Sequence, residues 1–313
     1  MQAIFGFGSD ALAHWDNHVC KHFPLAGELG TPWRWINAKS DALGHWLLDV
    51  RGKLIRGEPI DLTTAPAGVT WVQLDGTTDH QRQLEAGRVQ APTDDGHVLI
   101  IGESTNPGSQ RAYASQTPGA ITVEAVDLKD LVTFAQRLDF AAANALETVL
   151  DFAGAMMTNV GAPELIRRVS SLTRGTARNE ANEVENAALA FVRAPSHRTT
   201  AQLLESIGAQ TGVRTYRPAV VRACMKALQL CQADNAITFA DATVRMREQN
   251  RLLGRPLPRR AVGSTLLLKG LEADVAVILN AHKLSSRNLY VAMTRGSRMI
   301  TVCSPTPTLR PTM

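Results

Sequence analysis

The sequence predicts an α/β fold in which a parallel sheet is interrupted by an all-helical insert. Residues 1–126 and 256–313 alternate between strand and helix patterns, whereas in residues 127–255 Ala, Leu, Arg and Glu dominate at helical spacing. Continuous apolar runs of the kind that fully buried parallel strands show occur in both outer stretches. Because each outer stretch has too few strands for a stable sheet, we expect both to contribute to one sheet with helices on both faces.

The composition narrows the class of protein. A chain of 313 residues allows about two domains. With 44% hydrophobic and 20% charged residues, it can bury a core, which excludes disorder as the main state. No apolar run reaches the ~18 residues of a membrane span, and the N-terminus lacks the basic region of a signal peptide. The four cysteines form no CxxC pair, so we expect free thiols in a reducing cytoplasm.

Strands and helices are predicted in alternation along the first outer stretch. An apolar run at Ala3–Phe7 precedes a helical pattern at Asp10–Phe23. A further helix is expected to run to Leu54, after the turn at Gly30-Thr31-Pro32. Apolar, β-branched and aromatic runs then predict strands at Val69–Leu74, His97–Gly102 and Ile121–Val126. The first two of these strands are separated by a predicted helix at Asp79–Arg88.

The strand pattern returns at the C-terminal end, after the helical stretch. Strands are predicted at Val262–Leu268, Val275–Leu279 and Met299–Cys303, with a helix at Arg287–Thr294. The tail from Pro305 to Met313 is rich in proline and threonine, and we expect it to be frayed.

Positive charge is concentrated in one segment. The chain has a formal net charge of +4, yet Arg214–Arg260 alone holds ten basic and three acidic residues, a surplus of seven. Such a concentration favours a polyanionic partner, with nucleic acid first. A solvated, Arg-rich helical face explains the same charges, and charge alone leaves both interpretations open.

Two N-terminal patterns suggest other chemistry. Gly6-Phe7-Gly8-Ser9-Asp10-Ala11 fits a loose dinucleotide-binding pattern, which predicts a nicotinamide-dependent enzyme. That fingerprint needs a second strand ending in an acid about 20 residues on, and Glu28 instead precedes a turn. His14, His18 and His22 share a helical face, but no acid lies on that face to orient the rings, so a surface stripe is favoured over zinc.

Four segments carry a resemblance to a known family. Val262–Leu279 reads VGSTLLLKGLEADVAVIL and Asn288–Val302 reads NLYVAMTRGSRMITV, which resemble motifs V and VI of UvrD/Rep-type superfamily 1 helicases. Met1–Phe7 resembles the end of motif III, and Thr31–Trp35 resembles motif IV. The four motifs occur in the family's order, and the helical stretch lies where the family carries a helical insertion.

The resemblance implies roles for individual residues. Arg295 matches the arginine finger, Arg34 the second γ-phosphate arginine, and Gln2 the glutamine that senses the γ-phosphate. Arginine suits such positions because its rigid fork of N–H donors matches phosphate oxygens and keeps its charge. The resemblance also implies cofactor contacts: Trp33 with adenine, Glu272 with ribose, and Gly270 close to Glu272 in the same motif. The DNA contacts that it implies are Phe5, Phe7, Ser264 and Lys269.

As a whole, the resemblance implies the second RecA-like domain, in residues 1–126 and 256–313, of an ATP-dependent 3′–5′ DNA helicase. Residues 1–24 match a remnant of the first domain and its linker, and 127–255 the helical insert. We expect ATP and Mg²⁺ to require the first RecA-like domain, because the chain has no G-x-x-x-x-G-K-[ST] loop and no strand ending in Asp-Glu. Single-stranded DNA and that missing domain, or a separate motor subunit, are the expected partners.

Two departures from the family pattern affect these expectations. Leu266 stands where the family has a histidine that links the ATP site to DNA, and Pro32 replaces an asparagine of motif IV. The alternative function is a non-catalytic nucleic-acid-binding or regulatory subunit that docks on a separate motor, with its basic segment on nucleic acid.

Overall fold

The computed structural model describes residues 18–23, 30–252 and 258–312. It divides into two compact units, Met1–Ser109 with Gly263–Met313, and Gln110–Val262. The sequence predicts an insert at residues 127–255, whereas the second unit runs from Gln110 to Val262. Within the described ranges, no helix combines the length and apolar character that crossing a membrane requires.

The first unit, called here the sheet unit, begins with helices and three strands. These elements are α1 (Cys20–His22), α2 (Trp33–Asn37), α3 (Asp41–Arg56), β1 (Ile60–Asp61), β2 (Val69–Gln73), α4 (Asp79–Gly87) and β3 (Val98–Gly102).

The second unit, called here the helical unit, follows. Its elements are α5 (Pro107–Gln116, which starts just before the boundary), β4 (Ile121–Thr122), α6 (Lys129–Arg137), α7 (Ala145–Met156), β5 (Met157–Thr158), α8 (Ala162–Thr173), α9 (Glu183–Arg193), α10 (His197–Ala209), β6 (Arg214–Thr215), α11 (Pro218–Ala233), α12 (Phe239–Leu252) and β7 (Arg260–Ser264, which ends just after the boundary). The chain then returns to the sheet unit with β8 (Ala273–Ile278), α13 (Ser286–Met293), β9 (Gly296–Ser304) and β10 (Thr308–Leu309).

The predicted α/β class with a parallel sheet is confirmed. In the sheet unit, β2, β9, β8 and β3 lie side by side in that order, and every neighbouring pair is parallel. All five residues of β3 are buried, as the apolar run at this position predicts. Strands from both ends of the sequence therefore share one sheet, an arrangement consistent with a RecA-like fold.

The amino ends of β8 and β9 lie together at one edge of this sheet. Ala273 and Gly296, the first residues of the two strands, are partners in the register, and the Ala273 backbone N–H donates to the Arg295 carbonyl at 3.0 Å. Helix α2 packs closely on α3: a Cβ at Gly44 would lie 2.8 Å from the Cβ of Trp35. Only glycine permits this approach, which fixes where α2 lies.

The all-helical insert is confirmed in its main features. The core of the helical unit is one cluster of buried side chains from α6 to α12, in which the Phe134 and Phe152 rings stack at 4.1 Å. The sequence analysis missed a short antiparallel pair here, in which Met157 of β5 lies opposite Thr215 of β6.

Three predicted elements differ from the structure. The strand expected at Ile121–Val126 ends at Thr122, and the strand expected at Val262–Leu268 ends at Ser264 and gives way to turns. The tail that was expected to be frayed forms β10, which pairs antiparallel with β1, Ile60 opposite Leu309. The backbone of this tail is hydrogen-bonded, so composition was a poor guide to its order.

Just beyond the end of β4 lies a buried ion network. Glu124, two residues beyond the strand, accepts two hydrogen bonds from the Arg217 guanidinium, at 2.7 and 2.8 Å. Arg217 is 2% exposed and also bonds Asp130, which in turn pairs with Arg111. A buried guanidinium needs such partners because an uncompensated charge in the interior is costly.

We expect Glu124→Ala to destabilise the helical unit by about 3–5 kcal/mol, because it leaves the buried Arg217 with one carboxylate fewer. Urea unfolding followed by circular dichroism at the helix band measures the change. The matched control is Glu164→Ala, which breaks the exposed pair with Arg167 and should cost less than about 1 kcal/mol. An equal loss of unfolding free energy in the two variants would contradict a stabilising role of the buried Arg217–Glu124 pair.

Candidate functional site

Helix α2 presents one tryptophan to solvent and anchors the other. The Trp35 indole Nε1–H donates to the Gly296 carbonyl at 3.0 Å, so α2 is tied to the first residue of β9. Trp33, at the start of the same short helix, is 64% exposed. An aromatic ring this exposed is free to stack on a planar ligand, whereas Trp35 has a structural contact.

Arg34 joins α2 to two segments that are distant in sequence. Its Nη1 donates to the Thr294 carbonyl at 2.5 Å, and its Nη2 donates to the carboxylate of Glu272. The guanidinium carbon lies 5.2 Å from the centroid of the Trp35 ring, within cation–π range. Arg34 and Glu272 keep 27% and 53% of their side-chain surface exposed, so this ion pair is accessible from solvent.

Arg295 lies next to this pair but is buried, with 3% of its surface exposed. Its Nε donates to the Val291 carbonyl at 2.9 Å and its Nη1 to the Leu271 carbonyl at 3.0 Å. Its Nη2 donates to the Thr294 hydroxyl at 3.1 Å. Burial lowers the pKa of Arg295 below its ordinary value, and the nearby charge of Arg34 lowers it further.

Thr294 connects the two arginines. Its carbonyl accepts from Arg34, while its hydroxyl accepts from Arg295. The two guanidiniums therefore meet at one residue, at the edge where β8 and β9 begin. Arg34 is the accessible cation, and Arg295 is held behind it by its own protein contacts.

A buried tyrosine reports the positive potential of this region. Tyr290 on α13 is 8% exposed, and burial raises the pKa of its phenol above the ordinary value. Three positive charges oppose that rise, those of Arg51, Arg34 and Arg295. Three cationic side chains therefore lie near Tyr290, while Glu272 brings a negative charge to Arg34 in the same region.

The end of β7 and the loop that leads to β8 hold the remaining predicted residues. Gly270 has a φ of +86°, a left-handed conformation that favours glycine, and it directly precedes Leu271 and Glu272. Lys269 beside it is exposed. Ser264 is buried, with its hydroxyl accepting from the Leu267 backbone N–H at 3.3 Å. The two predicted DNA contacts therefore differ in their exposure. The Lys269 side chain is exposed, whereas the Ser264 hydroxyl is buried and stabilises the turn after β7.

Several predicted residues lie outside the described residues. These are Gln2, Phe5 and Phe7 of the helicase motifs, Gly6 and Gly8 of the dinucleotide pattern, and His14 of the histidine stripe. The described part of the chain contains no group of three or more His, Cys, Asp or Glu side chains suited to a metal ion.

The structure changes the interpretation of the basic segment. Arg214 donates to the carbonyls of Ala114, Ser115 and Ala120, and Arg217 is buried in its ion network. Arg260 is likewise buried. Arg214 and Arg217 are thus engaged by oxygens of the helical unit, and the buried side chains of Arg217 and Arg260 do not contribute to a basic surface. Arg222, Lys226 and Arg245 remain exposed on α11 and α12.

The sequence analysis missed Thr294 and Trp35 as part of the site. Thr294 contributes partly through its backbone carbonyl, which every residue type has, so the sequence does not indicate this contact. Trp35 belongs to the site through its hydrogen bond to the Gly296 carbonyl, a contact between residues far apart in the sequence. Two signals could have found it: its spacing two residues from Trp33, and a glycine in α3 that faces it.

No family model matches this chain, and no curated protein matches it either. Function therefore has to be argued from the geometry of the site. An accessible guanidinium paired with one carboxylate, on the same short helix as an exposed indole, fits a ligand that combines an anionic group with a planar ring.

We expect Arg295→Lys to destabilise the sheet unit by about 1–3 kcal/mol, because one ammonium group cannot reach the Val291, Leu271 and Thr294 oxygens together. Urea unfolding measures the loss. Arg298→Lys is the control, since Arg298 forms a more exposed pair with Asp274, and it should cost less than about 1 kcal/mol. If Arg295→Lys unfolds at the same urea concentration as the unmodified chain, these three contacts do not contribute to the stability of the sheet unit.

Proposed function

We propose that this chain is the C-terminal part of an ATP-dependent 3′–5′ DNA helicase of the UvrD/Rep type, contributing arginines to a nucleotide held by another part of the motor. The observation that supports it is the meeting of Arg34 and Arg295 at Thr294, from segments on which the helicase motifs fall. The implied cytoplasmic location and single-stranded DNA partner belong to the same proposal.

The edge of the sheet at which the site lies favours a role in trans. Open α/β domains that hold their own ligand do so at the carboxyl ends of the strands. Arg34, Glu272 and Arg295 instead lie at the amino ends of β8 and β9. Such a site suits a surface that closes on a nucleotide bound by a second RecA-like domain, which would also hold Mg²⁺.

Each side chain then has a distinct task. Arg34 is accessible, so it can donate to phosphate oxygens and stabilise negative charge on them. Arg295 keeps its position through three protein contacts and adds positive potential from behind. Trp33 offers an exposed ring to the base, and Lys269 an exposed ammonium to a DNA phosphate.

The isolated chain should bind ATP weakly through this site, and ³¹P line broadening in an ATP titration detects such binding. Arg34→Gln should weaken it about fivefold or more, because a charged hydrogen-bond donor is lost. Trp33→Ala should weaken it about fivefold, because the base loses its stacking partner.

The control for this titration is Ile55→Ala, which removes another exposed apolar side chain of the sheet unit and should leave ATP affinity unchanged. Absence of ATP binding, or an unchanged affinity in Arg34→Gln, would refute the proposed function.

The same preparation should hydrolyse no ATP. An arginine can stabilise charge on the transferred phosphoryl group, but it cannot replace the phosphate-cradling loop or the acid pair that holds Mg²⁺, neither of which the sequence contains. Phosphate release at the rate of a buffer blank is the expected result. Turnover that disappears in Arg295→Lys would show that this chain carries a complete hydrolytic site.

A further inference from the structure

Strand β2 forms one edge of the parallel sheet. It pairs with β9 on one side, and no strand of the described residues lies on its other side. Its five residues, Val69–Gln73, are exposed or half-buried, whereas all five residues of β3 are buried. An edge strand presents backbone N–H and C=O groups with which another strand can pair.

The hydrogen bonds to β9 show which backbone groups of β2 face outwards. Gly68 and Leu74, which flank the strand, are both hydrogen-bonded to β9. Both are even-numbered, and the direction of the backbone groups alternates along a strand. The backbone groups of the three odd-numbered residues, Val69, Trp71 and Gln73, therefore point away from β9. Their six N–H and C=O groups form the outer edge of the sheet.

Two of these six groups already have a partner within the chain. The Val69 N–H donates to the Pro66 carbonyl at 2.8 Å, and the Gln73 carbonyl accepts from Nη1 of Arg82 at 2.7 Å. In the part of the chain that the structure describes, the other four groups have no hydrogen-bond partner: the Val69 carbonyl, both groups of Trp71 and the Gln73 N–H. The edge is thus free only in its middle, between two occupied ends.

This pattern is its own complement when Trp71 lies opposite Trp71 of a second copy in an antiparallel pair. The N–H and C=O of each Trp71 then bond those of the other, and each Gln73 N–H meets the Val69 carbonyl of the other copy. Every free group gains a partner. The occupied Val69 N–H lies opposite the equally occupied Gln73 carbonyl, so no hydrogen bond within either chain has to break.

A strand from an unrelated protein fits this edge less well. An ordinary antiparallel strand brings a free carbonyl to the Val69 N–H and a free N–H to the Gln73 carbonyl, and both would meet occupied groups and remain unpaired. The sequence of β2, VTWVQ, also lacks the charges and the proline with which edge strands commonly resist pairing. Two opposed Trp71 side chains add an aromatic cross-strand pair.

We propose that this chain associates through β2 with a second copy of itself, in an antiparallel two-fold pairing centred on Trp71. The interface contains four backbone hydrogen bonds, and it is isologous because each copy contributes the same strand. It uses none of the residues to which the proposed function assigns a task. Either proposal can therefore fail while the other stands.

The experiment compares Gln73→Pro with the matched control Gln73→Ala in the 313-residue chain. Proline removes the free N–H, and with it two of the four interface bonds, but keeps the carbonyl that Arg82 binds. Alanine keeps both backbone groups. In sedimentation equilibrium, the mean mass of the unmodified chain and of Gln73→Ala should rise with concentration from one chain towards two. Gln73→Pro should dimerise at least about tenfold more weakly.

Hydrogen exchange gives a second measurement, which needs no variant. The Trp71 and Gln73 amides should exchange more slowly at high protein concentration than at low concentration, because they are hydrogen-bonded only in the dimer. The Val72 amide points to β9 and should exchange equally at both concentrations. If the thermal midpoint shows that Gln73→Pro does not fold, this measurement decides.

Several results would overturn the inference. The unmodified chain stays monomeric at every concentration if its edge is covered by another segment of the same chain or serves a different protein. Equal dimerisation of the proline and alanine variants would place the interface on another surface. Equal loss in both variants would assign the effect to the Gln73 side chain. Exchange at Trp71 that does not change with concentration would remove β2 from the interface.

Discussion

The hydrogen bond from Arg34 to the Thr294 carbonyl is the contact on which the site depends, because it joins residues 260 positions apart. It can form only if α2 lies against the start of β9, and two features ensure this. The Trp35 indole bonds the Gly296 carbonyl, and Gly44 lets α3 approach Trp35 closely. The parallel register that brings Ala273 opposite Gly296 then carries Glu272 to the same place.

The two arginines show how one residue type can serve in two ways. Arg295 distributes its planar fork over backbone and hydroxyl oxygens, which gives a buried charge the partners it needs. Because Arg295 is fixed in this way, Thr294 is fixed as well, and its carbonyl can orient Arg34. The accessible arginine thus owes its position to the buried one, and the positive potential of the site comes from both.

Sequence reasoning succeeded where local patterns carry the information. The apolar runs predicted as strands at His97–Gly102 and Val275–Leu279 correspond to the buried parallel strands β3 and β8. The resemblance to the helicase motifs pointed to Arg34, Glu272 and Arg295, which the structure brings together. It failed where partners are distant in sequence. The strand expected to reach Val126 ends early at Thr122, and just beyond it Glu124 pairs with Arg217, an interaction that local composition cannot reveal.

Partners that are distant in sequence also decide which positive charges of the basic segment, Arg214–Arg260, are accessible. The surplus of seven positive charges in Arg214–Arg260 left a polyanion-binding surface and a solvated helical face both open. In the structure Arg214 is bonded to carbonyls and Arg217 to carboxylates, so the charge count alone overstates how many of these cations are accessible. The site around Arg34 has fewer charges in sequence, but one of its cations is accessible and paired with a carboxylate that is itself exposed. What makes a cation available to a ligand is therefore how readily its present partner can be displaced. By that criterion Arg34 is the more available of the two, because its partner Glu272 is exposed, whereas the buried Glu124 cannot release Arg217 without leaving its own charge uncompensated.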